Sequence, residues 1–442
     1  MAAGQGTRMK SATPKVMHMV AGFPILGHVI AAMRASSVER IVVVTHQEGE
    51  EVRAFAAKLG ASSVIQEKQL GTGHAAASAA PALADFSGAL IVTYGDMPML
   101  AAPTFEGSFA AQAKTGMAMV GFRPGDSAAY GRMILDGQGF LDRIVEFKDA
   151  NARERAVTLC NAGILTADAK SLFRWAAKLE NNNKQGEYYL TDVPSFAKAD
   201  GVRCAVVEAD ETEMMGVNSR AELAAAEAAM QARLRARALA NAVGMVAPDT
   251  VYLSYDTVLE TDCQIEPFVV FAPGVTVRSG ARIRAFSHLE GAEVGAGAIV
   301  GPYARLRPGA VLEEDVHVGN FVEVKNARIE KGAKANHLTY LGDARVGAGA
   351  NIGAGTITCN YDGFEKHKTD IGAGAFIGSD TALVAPVKVG PGAITGAGSV
   401  ITKDVAAGAL AVTRAEQREL PGWADKFRER KKAAKAAKAK DK

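Results

Sequence analysis

Residues 294–324 read VGAGAIVGPYARLRPGAVLEEDVHVGNFVEV, and an apolar residue recurs there at every sixth position. The recurring residues are Val294, Val300, Leu306, Leu312, Val318 and Val324. A period of six predicts three short strands per coil of a prism-shaped β-helix, in which each apolar side chain stacks on the one a coil away. This stretch therefore decides the fold of the C-terminal half.

The same period continues on both sides of this stretch. Upstream, in a register shifted by one residue, it includes Ile265, Phe271, Val277, Ile283 and Leu289. Downstream it includes Ile371, Ile377, Leu383, Val389 and Ile401. The pattern predicts a hexapeptide β-helix over residues 243–413. Two polar segments interrupt it, NHLTY at 336–340 and NYDG at 360–363, and these can carry chemistry on an otherwise structural scaffold.

The N-terminal half has a different pattern. Residues 41–45 (IVVVT) and 89–94 (ALIVTY) are continuous apolar runs, typical of strands buried on both faces, and helical segments lie between them. This alternation predicts a mostly parallel, Rossmann-like α/β domain over residues 1–218, with ligands bound beyond the C-terminal ends of the strands. Residues 219–242, rich in Ala, Glu, Leu and Arg, are predicted to form a linker helix.

Composition excludes several classes of protein. The 442 residues hold 50 Lys and Arg against 48 Asp and Glu, no run of about 18 apolar residues and no signal-peptide pattern. The four cysteines have neither metal-ligand spacing nor a disulfide framework, so we expect a reduced, cytoplasmic protein without a membrane span. The basic tail, residues 414–442, is expected to be a frayed or disordered end, and no aromatic context indicates nucleic-acid binding.

The first residues form a glycine-rich loop with cations, AAGQGTRMK at 2–10 followed by Pro14-Lys15. Small residues let backbone N–H groups approach phosphate oxygens, and Arg8 and Lys15 can neutralise a triphosphate. The alternative is a turn with solvated charges, but the complete string favours a phosphate site. Such a loop needs a strand leading into it, and none is encoded ahead of Ala2, so we expect the first strand of the sheet to be missing.

Further motifs follow in a fixed order: Gln66 with QLGTGH at 69–74, YGD at 94–96, YGR at 130–132, VE at 145–146, NAGI at 161–164, GEYYLTD at 186–192 and GVN at 216–218. With the loop, this order resembles the sugar-nucleotide pyrophosphorylases. With the hexapeptide half, the whole chain resembles the bifunctional bacterial N-acetylglucosamine-1-phosphate uridyltransferase / glucosamine-1-phosphate N-acetyltransferase family. The resemblance implies a left-handed β-helix and a homotrimer, neither of which the periodicity itself reveals.

For the N-terminal domain, the resemblance implies uridylyl transfer from UTP to N-acetylglucosamine 1-phosphate. Arg8 and Lys15 are the expected catalytic cations, and Asp96 and Asn218 the expected Mg²⁺ ligands. The expected nucleotide and sugar ligands are Ala2, Ala3, Gly4, Lys15, Gln66, Gly71, Thr72, Tyr94, Gly95, Asp96, Gly131, Glu146, Asn161 and Asn218. The amide of Gln66 offers both donor and acceptor to a uracil edge. Taken alone, Asp96 could equally be a strand-end carboxylate satisfied by backbone N–H groups.

For the β-helix, the resemblance implies acetyl transfer from acetyl-CoA to glucosamine 1-phosphate, with His337 as the general base. An amine must lose a proton to attack, which suits a base of near-neutral pKa. The expected ligands of the amino-sugar phosphate and acetyl-CoA are Arg307, Lys325, Tyr340, Asn351, Ala354, Asn360, Tyr361, Ser379, Ala397 and Arg414. As an alternative, Arg307 and Lys325 could be solvated surface charges.

Two other functions compete with the bifunctional enzyme. A pyrophosphorylase whose β-helix only regulates or oligomerises would have no catalytic cluster on the helix, which His337 and the NYDG segment argue against. An inactive scaffold would have lost Lys15, Asp96 or His337, and all three are present. The sequence therefore favours two activities, which together produce UDP-N-acetylglucosamine for cell-wall and lipopolysaccharide synthesis.

Overall fold

The computed structural model describes residues 1–440 except Gln5, Ala128, Ala129 and Lys184, with backbone only for residues 438–440. The chain divides into two compact units. The first comprises Met1–Ala242, Ala247–Thr257 and Phe271–Gly274, and the second comprises Val243–Val246, Val258–Val270 and Val275–Lys442. The predicted fold class, an α/β domain and a parallel β-helix, is confirmed.

The first unit alternates helices and strands. Its helices are α1 (Ile25–Ala35), α2 (Glu50–Lys58), α3 (Thr72–Ala77), α4 (Ala102–Thr115), α5 (Ala152–Arg155), α6 (Ala169–Ala176), α7 (Val193–Ala199) and α8 (Arg220–Ala240). Its strands are β1 (Met19–Val20), β2 (Phe23–Pro24), β3 (Val42–Thr45), β4 (Ser62–Ile65), β5 (Ala89–Val92), β6 (Gly116–Phe122), β7 (Arg132–Leu135), β8 (Leu141–Val145), β9 (Cys160–Asp168) and β10 (Arg203–Ala209).

Strand β6 lies at the centre of the main sheet because its apolar run is buried on both faces. It runs parallel to β10 and antiparallel to β9, which is also antiparallel to β5. Strands β5, β6 and β10 therefore share one direction, and β3 and β4 form a separate parallel pair. On one face of β6, Met117 packs in the cluster around Trp175, and on the other Val120 packs in the cluster around Phe105.

A vacant strand position lies between β3 and β5, which pair with other strands but not with each other. Met1 and Ala2 occupy only its end: the Met1 ammonium donates to the Thr93 carbonyl at 2.7 Å, and the Ala2 N–H donates to the Val44 carbonyl at 2.7 Å. A cavity of about 410 Å³ opens behind them, lined by apolar side chains from both strands and from α1. Two residues thus stand where the sheet has space for a whole strand.

Helix α8 begins at a capping residue and packs along a narrow stripe. The Ser219 side chain accepts a hydrogen bond from the Glu222 N–H, which satisfies one of the free donors of the first turn. The Glu222 carboxylate in turn accepts from the Asn218 N–H at 2.7 Å. Met230 and Leu234, on one face of the helix, are buried. The helix thereby fixes the backbone of Asn218, a candidate site residue.

The second unit is a β-helix with three faces. Within each face, strands of successive coils pair with each other in parallel. The first face comprises Gly244–Met245, Gln264–Ile265, Arg282–Ile283, Ile299–Val300, His317–Asn320, Lys334–His337, Asn351–Ile352, Phe376–Ile377, Ile394–Thr395 and Leu410–Ala411. The second comprises Val270–Phe271, His288–Leu289, Arg305–Leu306, Glu323–Lys325, Tyr340–Gly342, Ile357–Cys359, Ala382–Val384 and Val400–Ile401. The third comprises Val258–Leu259, Thr276–Val277, Ala292–Val294, Ala310–Leu312, Arg328–Ile329, Ala344–Val346, Thr369–Ile371 and Val387–Val389.

The six-residue period appears in the structure as vertical stacks of buried side chains. Leu306 pairs in register with Val324 of the next coil, and both are fully buried. Successive apolar residues of the six-residue period lie on successive faces, so every third one returns to the same stack of buried side chains. This packing explains why the apolar residues repeat every six positions along the sequence.

The edge between the first and second faces carries a column of aromatic rings. One residue per coil adopts a positive φ there, Phe268, Phe286, Tyr303 and Phe321, and Leu338 continues the column. Successive rings stack with centroids 5.0, 4.8 and 5.3 Å apart. We call these four residues the aromatic ladder. Each ring is between 48% and 56% exposed, so the ladder presents an apolar surface to solvent.

The C-terminal tail differs from the sequence prediction. The sequence predicts a frayed or disordered end, but Trp423–Lys440 form a helix, α9. Its residues with described side chains are exposed, so local propensity rather than packing supports it. Ala, Lys and Arg are among the best helix formers, and the prediction gave too little weight to that preference. Among the described residues, no helix combines the length and apolarity needed to cross a membrane.

Candidate active sites

The glycine-rich loop forms one wall of a cleft of about 350 Å³ in the first unit. Gly6 has a φ of 61°, and a Cβ on it would lie 2.8 Å from Cβ of Lys15. A glycine here therefore lets the loop close over the Lys15 backbone. Ten of the predicted residues line the cleft: Ala2, Ala3, Gly4, Lys15, Gln66, Gly71, Thr72, Tyr94, Asp96 and Asn218.

Lys15 bridges the two predicted metal ligands. Its Nζ lies 2.5 Å from Asp96 Oδ2 and 2.9 Å from Asn218 Oδ1, although these residues are 81 and 203 positions away. A backbone hydrogen bond from the Val217 N–H to the Asp96 carbonyl, 2.9 Å, holds the two segments together. One carboxylate and one amide oxygen thus converge on a single cation, and the Lys15 ammonium stands where a divalent ion would bind.

The oxygen pair fits Mg²⁺ better than a transition metal. Within the described residues, no cluster of three His, Cys, Asp or Glu side chains is arranged to hold a metal. Mg²⁺ is commonly held by one or two protein oxygens together with water and substrate phosphates. Asp96 and Asn218 match that requirement.

Gln66 lies at the bottom of the cleft and is 3% exposed. Its Nε2 donates to the Gly71 carbonyl at 3.2 Å and contacts His74 Nδ1 at 3.0 Å. Gly71 has a φ of 104°, and a Cβ there would lie 2.6 Å from the Tyr188 carbonyl oxygen, so only glycine fits. His74 was not among the predicted site residues, although it belongs to the QLGTGH motif.

The predicted sugar ligands meet next to Tyr94. The Asn161 N–H donates to the Gly131 carbonyl at 2.9 Å, and a Cβ on Gly131 would lie 3.2 Å from Glu146 Oε1. Burial, helped by the Asp96 and Glu146 carboxylates, raises the pKa of Tyr94 to about 12, so its hydroxyl stays protonated. The pKa of Glu146 is also raised, mainly by burial and to a smaller extent by the negative charge of neighbouring carboxylates.

Five predicted residues of this unit are not part of the cleft lining: the three sugar ligands Gly131, Glu146 and Asn161, together with Gly95 and Arg8. The N–H of Gly95 donates to the Met1 carbonyl at 2.8 Å, a contact that holds the start of the loop. Arg8 is exposed in the short 3₁₀ turn Thr7–Met9. The structure therefore brings Lys15, but not Arg8, to the metal-ligand pair.

In the second unit, His337 ends a strand of the first face. Its Nδ1 lies 2.8 Å from Asn320 Oδ1, one coil below. Because an amide oxygen only accepts, this contact places the proton on Nδ1 and leaves the Nε2 lone pair available. The imidazole is exposed, as a base acting on an external amine must be.

The predicted phosphate ligands lie on the second face. Arg307 donates to Glu323 Oε1 at 2.9 Å. The pKa of Lys325 is lowered by two nearby positive charges. The Lys366 ammonium has the larger effect and Arg307 the smaller one. Lys366 was missed by the sequence analysis, because only the loop that follows Asn360 brings it to Lys325. Three cations that lie near one another are suited to bind a phosphate.

The loop that begins at Asn360 is held in place by hydrogen bonds of its polar side chains. Asn360 is buried and its Nδ2 donates to Asp343 at 2.5 Å, whereas Tyr361 is exposed. The Asp362 carboxylate accepts from the Glu365 and Phe364 N–H groups and from His367, which holds its pKa well below the usual range. Asn360 thus shapes the loop, and Tyr361 is the member that can reach a ligand.

The remaining predicted residues occupy two places on the coils. Ala354, Ser379 and Ala397 lie on successive coils at the edge that carries the aromatic ladder, linked by the bonds Asp380 N–H to Ala354 carbonyl and Gly398 N–H to Ser379 carbonyl. Arg414 donates to the Ala397 carbonyl at 2.5 Å.

Tyr340 and Asn351 lie on strands of the second and first faces. A Cβ on Gly342 would lie 2.3 Å from the Tyr340 hydroxyl, so Gly342 makes room for that ring.

Comparison with known proteins identifies both halves. Residues 1–161 match the MobA-like NTP transferase domain, and residues 368–403 match the bacterial transferase hexapeptide, six repeats.

Three similar proteins carry the name bifunctional protein GlmU. That of Jannaschia sp. (strain CCS1) is 54% identical over 443 residues, covering 100% of this chain and 97% of its own. That of Ruegeria sp. (strain TM1040) is 55% identical, covering 100% and 98%. That of Paramagnetospirillum magneticum (strain ATCC 700264 / AMB-1) is 52% identical, covering 99% and 98%. The chain therefore belongs to the GlmU family of bifunctional transferases, with a nucleotidyltransferase half and a hexapeptide acyltransferase half.

Proposed function

We propose that the protein acetylates glucosamine 1-phosphate with acetyl-CoA and then transfers a uridylyl group from UTP to the product, giving UDP-N-acetylglucosamine and pyrophosphate. The observation that carries the proposal is that each unit has its own chemically distinct cluster. One is the Lys15, Asp96 and Asn218 cluster, and the other consists of His337 with Asn320 and, on the second face, a group of cations. The product would supply cell-wall and lipopolysaccharide synthesis.

In the uridylyl step, an oxygen of the sugar phosphate attacks the α-phosphorus of UTP and pyrophosphate leaves. The nucleophile is already ionised at neutral pH, so positioning and charge neutralisation do the catalytic work. Asp96 and Asn218 would hold Mg²⁺, which supplies charge neutralisation at the phosphates. Lys15 would then turn from these two oxygens toward a phosphate, because its ammonium stands at the ion's place.

In the acetyl step, the substrate amine attacks the thioester carbonyl, a C–N bond forms and the C–S bond breaks. His337 Nε2 accepts the proton that the amine loses, and coenzyme A leaves as the thiolate and is protonated. Asn320 supports this role because it fixes the proton of the neutral imidazole on Nδ1. Arg307, Lys325 and Lys366 would bind the sugar phosphate.

We further propose that the working form is a cytoplasmic homotrimer with small-molecule substrates and without nucleic acid. The aromatic ladder supports association, because four half-exposed stacked rings form an apolar stripe of the kind that another subunit covers. The candidate acetyl-CoA residues Ala354, Ser379 and Ala397 share that edge. A second subunit on this edge would therefore lie beside the acetyl-transfer site.

An omission experiment tests the order of the two reactions. Glucosamine 1-phosphate, acetyl-CoA, UTP and Mg²⁺ are supplied together and then with each component left out, and coenzyme A, pyrophosphate and nucleotide sugars are measured. We expect coenzyme A release without UTP, and pyrophosphate release only when acetyl-CoA or N-acetylglucosamine 1-phosphate is present. Rapid formation of a UDP-amino sugar without acetyl-CoA would contradict the proposed sequence.

A further inference from the structure

The amide of Gln66 is held by two protein contacts, and together they decide which of its atoms meets a ligand. Both involve Nε2, with the Gly71 carbonyl at 3.2 Å and His74 Nδ1 at 3.0 Å. The carbonyl can only accept, so Nε2 must face it and donate. The second hydrogen of Nε2 then points at His74 Nδ1, which accepts it when that nitrogen carries no proton. In the described part of the chain, Gln66 Oε1 has no hydrogen-bond partner, so it is the atom left for a ligand in the cleft.

His74 is fixed in place by close packing around α3. The Gly73 N–H donates to the Tyr188 carbonyl at 2.8 Å, and the Tyr188 N–H donates to the Leu70 carbonyl at 2.8 Å. A Cβ on Gly73 would lie 2.3 Å from Leu179 Cδ1. The Tyr188 ring lies 6.3 Å from the imidazole, centroid to centroid. The imidazole is therefore held next to the Gln66 amide, which a solvated histidine would not be.

We propose that His74 is a positioning residue that orients the Gln66 amide with its oxygen toward the base and thereby selects uracil over cytosine. The inference rests on the proposed uridylyl transfer. Uracil has an N–H donor at N3, whereas cytosine has an acceptor lone pair there. A Gln66 oxygen held toward N3 bonds to uracil and repels cytosine. Without His74, only the Gly71 carbonyl opposes rotation of the amide, and a rotated amide offers cytosine a donor.

The test uses two variants that differ in hydrogen bonding. His74→Asn keeps an acceptor, because Asn Oδ1 occupies the same place on the side chain as His Nδ1. His74→Leu has none. Ser78→Ala is the control, because the Ser78 hydroxyl donates to the His74 carbonyl and does not touch the ring. The ratio of kcat/KM for UTP to kcat/KM for CTP is measured for each full-length protein, with acetyl transfer as a check of integrity.

We expect His74→Leu to lower the UTP-to-CTP ratio by roughly 5–30-fold, the effect of one to two kcal/mol. His74→Asn and Ser78→Ala should stay near the wild-type ratio. A merely structural histidine would lower both rates together and leave the ratio unchanged in His74→Leu, and that result would overturn the inference. Equal ratios in the Leu and Asn variants would overturn it too. If the wild-type enzyme forms no nucleotide sugar from UTP, the proposed function itself fails, and that outcome is recognised before any variant is compared.

Discussion

At the scale of single residues, His337 in one active-site cluster and Asp96 in the other each depend on one neighbouring side chain. His337 needs a free lone pair, and its contact with Asn320 across one coil provides it. Asp96 needs a cation, and Lys15 supplies one until a metal takes its place. These residues lie in different units, so a substitution in one cluster should leave the other reaction intact.

The first prediction concerns His337→Ala. Loss of the general base should lower acetyl transfer by roughly 10²–10⁴-fold, and uridylyl transfer from supplied N-acetylglucosamine 1-phosphate should be unchanged. Coenzyme A release and pyrophosphate release measure the two reactions separately. His288→Ala, another coil histidine without an assigned role, is the matched control. A normal acetylation rate in His337→Ala across neutral pH would refute the assignment.

The second prediction is the converse. Asp96→Ala or Asn218→Ala should reduce Mg²⁺-dependent formation of UDP-N-acetylglucosamine by at least about 10²-fold, because charge neutralisation at the phosphates is lost. Acetyl transfer should continue. Asp85→Ala is the control, because Asp85 lies in an exposed ion pair with Arg40. Undiminished wild-type turnover in excess chelator would show that no metal takes part.

At the scale of elements, the vacant position between β3 and β5 is the feature with the largest consequence for stability. Each strand pairs with a neighbour only on its other side, β3 with β4 and β5 with β9, and an unpaired buried backbone group costs free energy. We predict that about five apolar residues joined ahead of Met1 fill the 410 Å³ cavity and raise the lower melting transition. Each large side chain buried there contributes about 1.5–3 kcal/mol.

Uridylyl transfer should improve with this extension, because the loop that carries Lys15 is then anchored, whereas acetyl transfer should not change. Differential scanning calorimetry with both assays makes the measurement, and a Gly/Ser extension of equal length is the control. If the apolar and Gly/Ser extensions give the same melting temperature and activity, the strand position does not limit this unit.

At the scale of the whole molecule, the proposed association depends on the aromatic ladder. Phe286→Lys with Phe321→Lys places two charges on that edge, and we predict that the assembly dissociates toward the 46.1 kDa chain. Acetyl transfer should fall with it, whereas uridylyl transfer should remain. Light scattering coupled to size-exclusion chromatography measures the mass, and Val246→Lys, at a singly exposed apolar residue, is the control. An unchanged mass would exclude the ladder as the subunit interface.

The sequence by itself determined the β-helix, since a period of six is a local pattern that only a three-sided coil can bury. It also indicated the α/β class, the order of motifs and the identity of most cleft residues. Local composition was less reliable at the tail, where helix propensity outweighed polarity and gave α9.

Only the tertiary structure decided which distant residues meet. Lys15 lies between Asp96 and Asn218, Lys366 lies beside Lys325, and Gln66 is held by His74. It also decided that β9 runs against its neighbours and that two residues, rather than a strand, stand between β3 and β5. The physical reason is that periodicity records which side of an element is buried, whereas contacts between elements depend on strand order and loop path, which no spacing along the chain encodes.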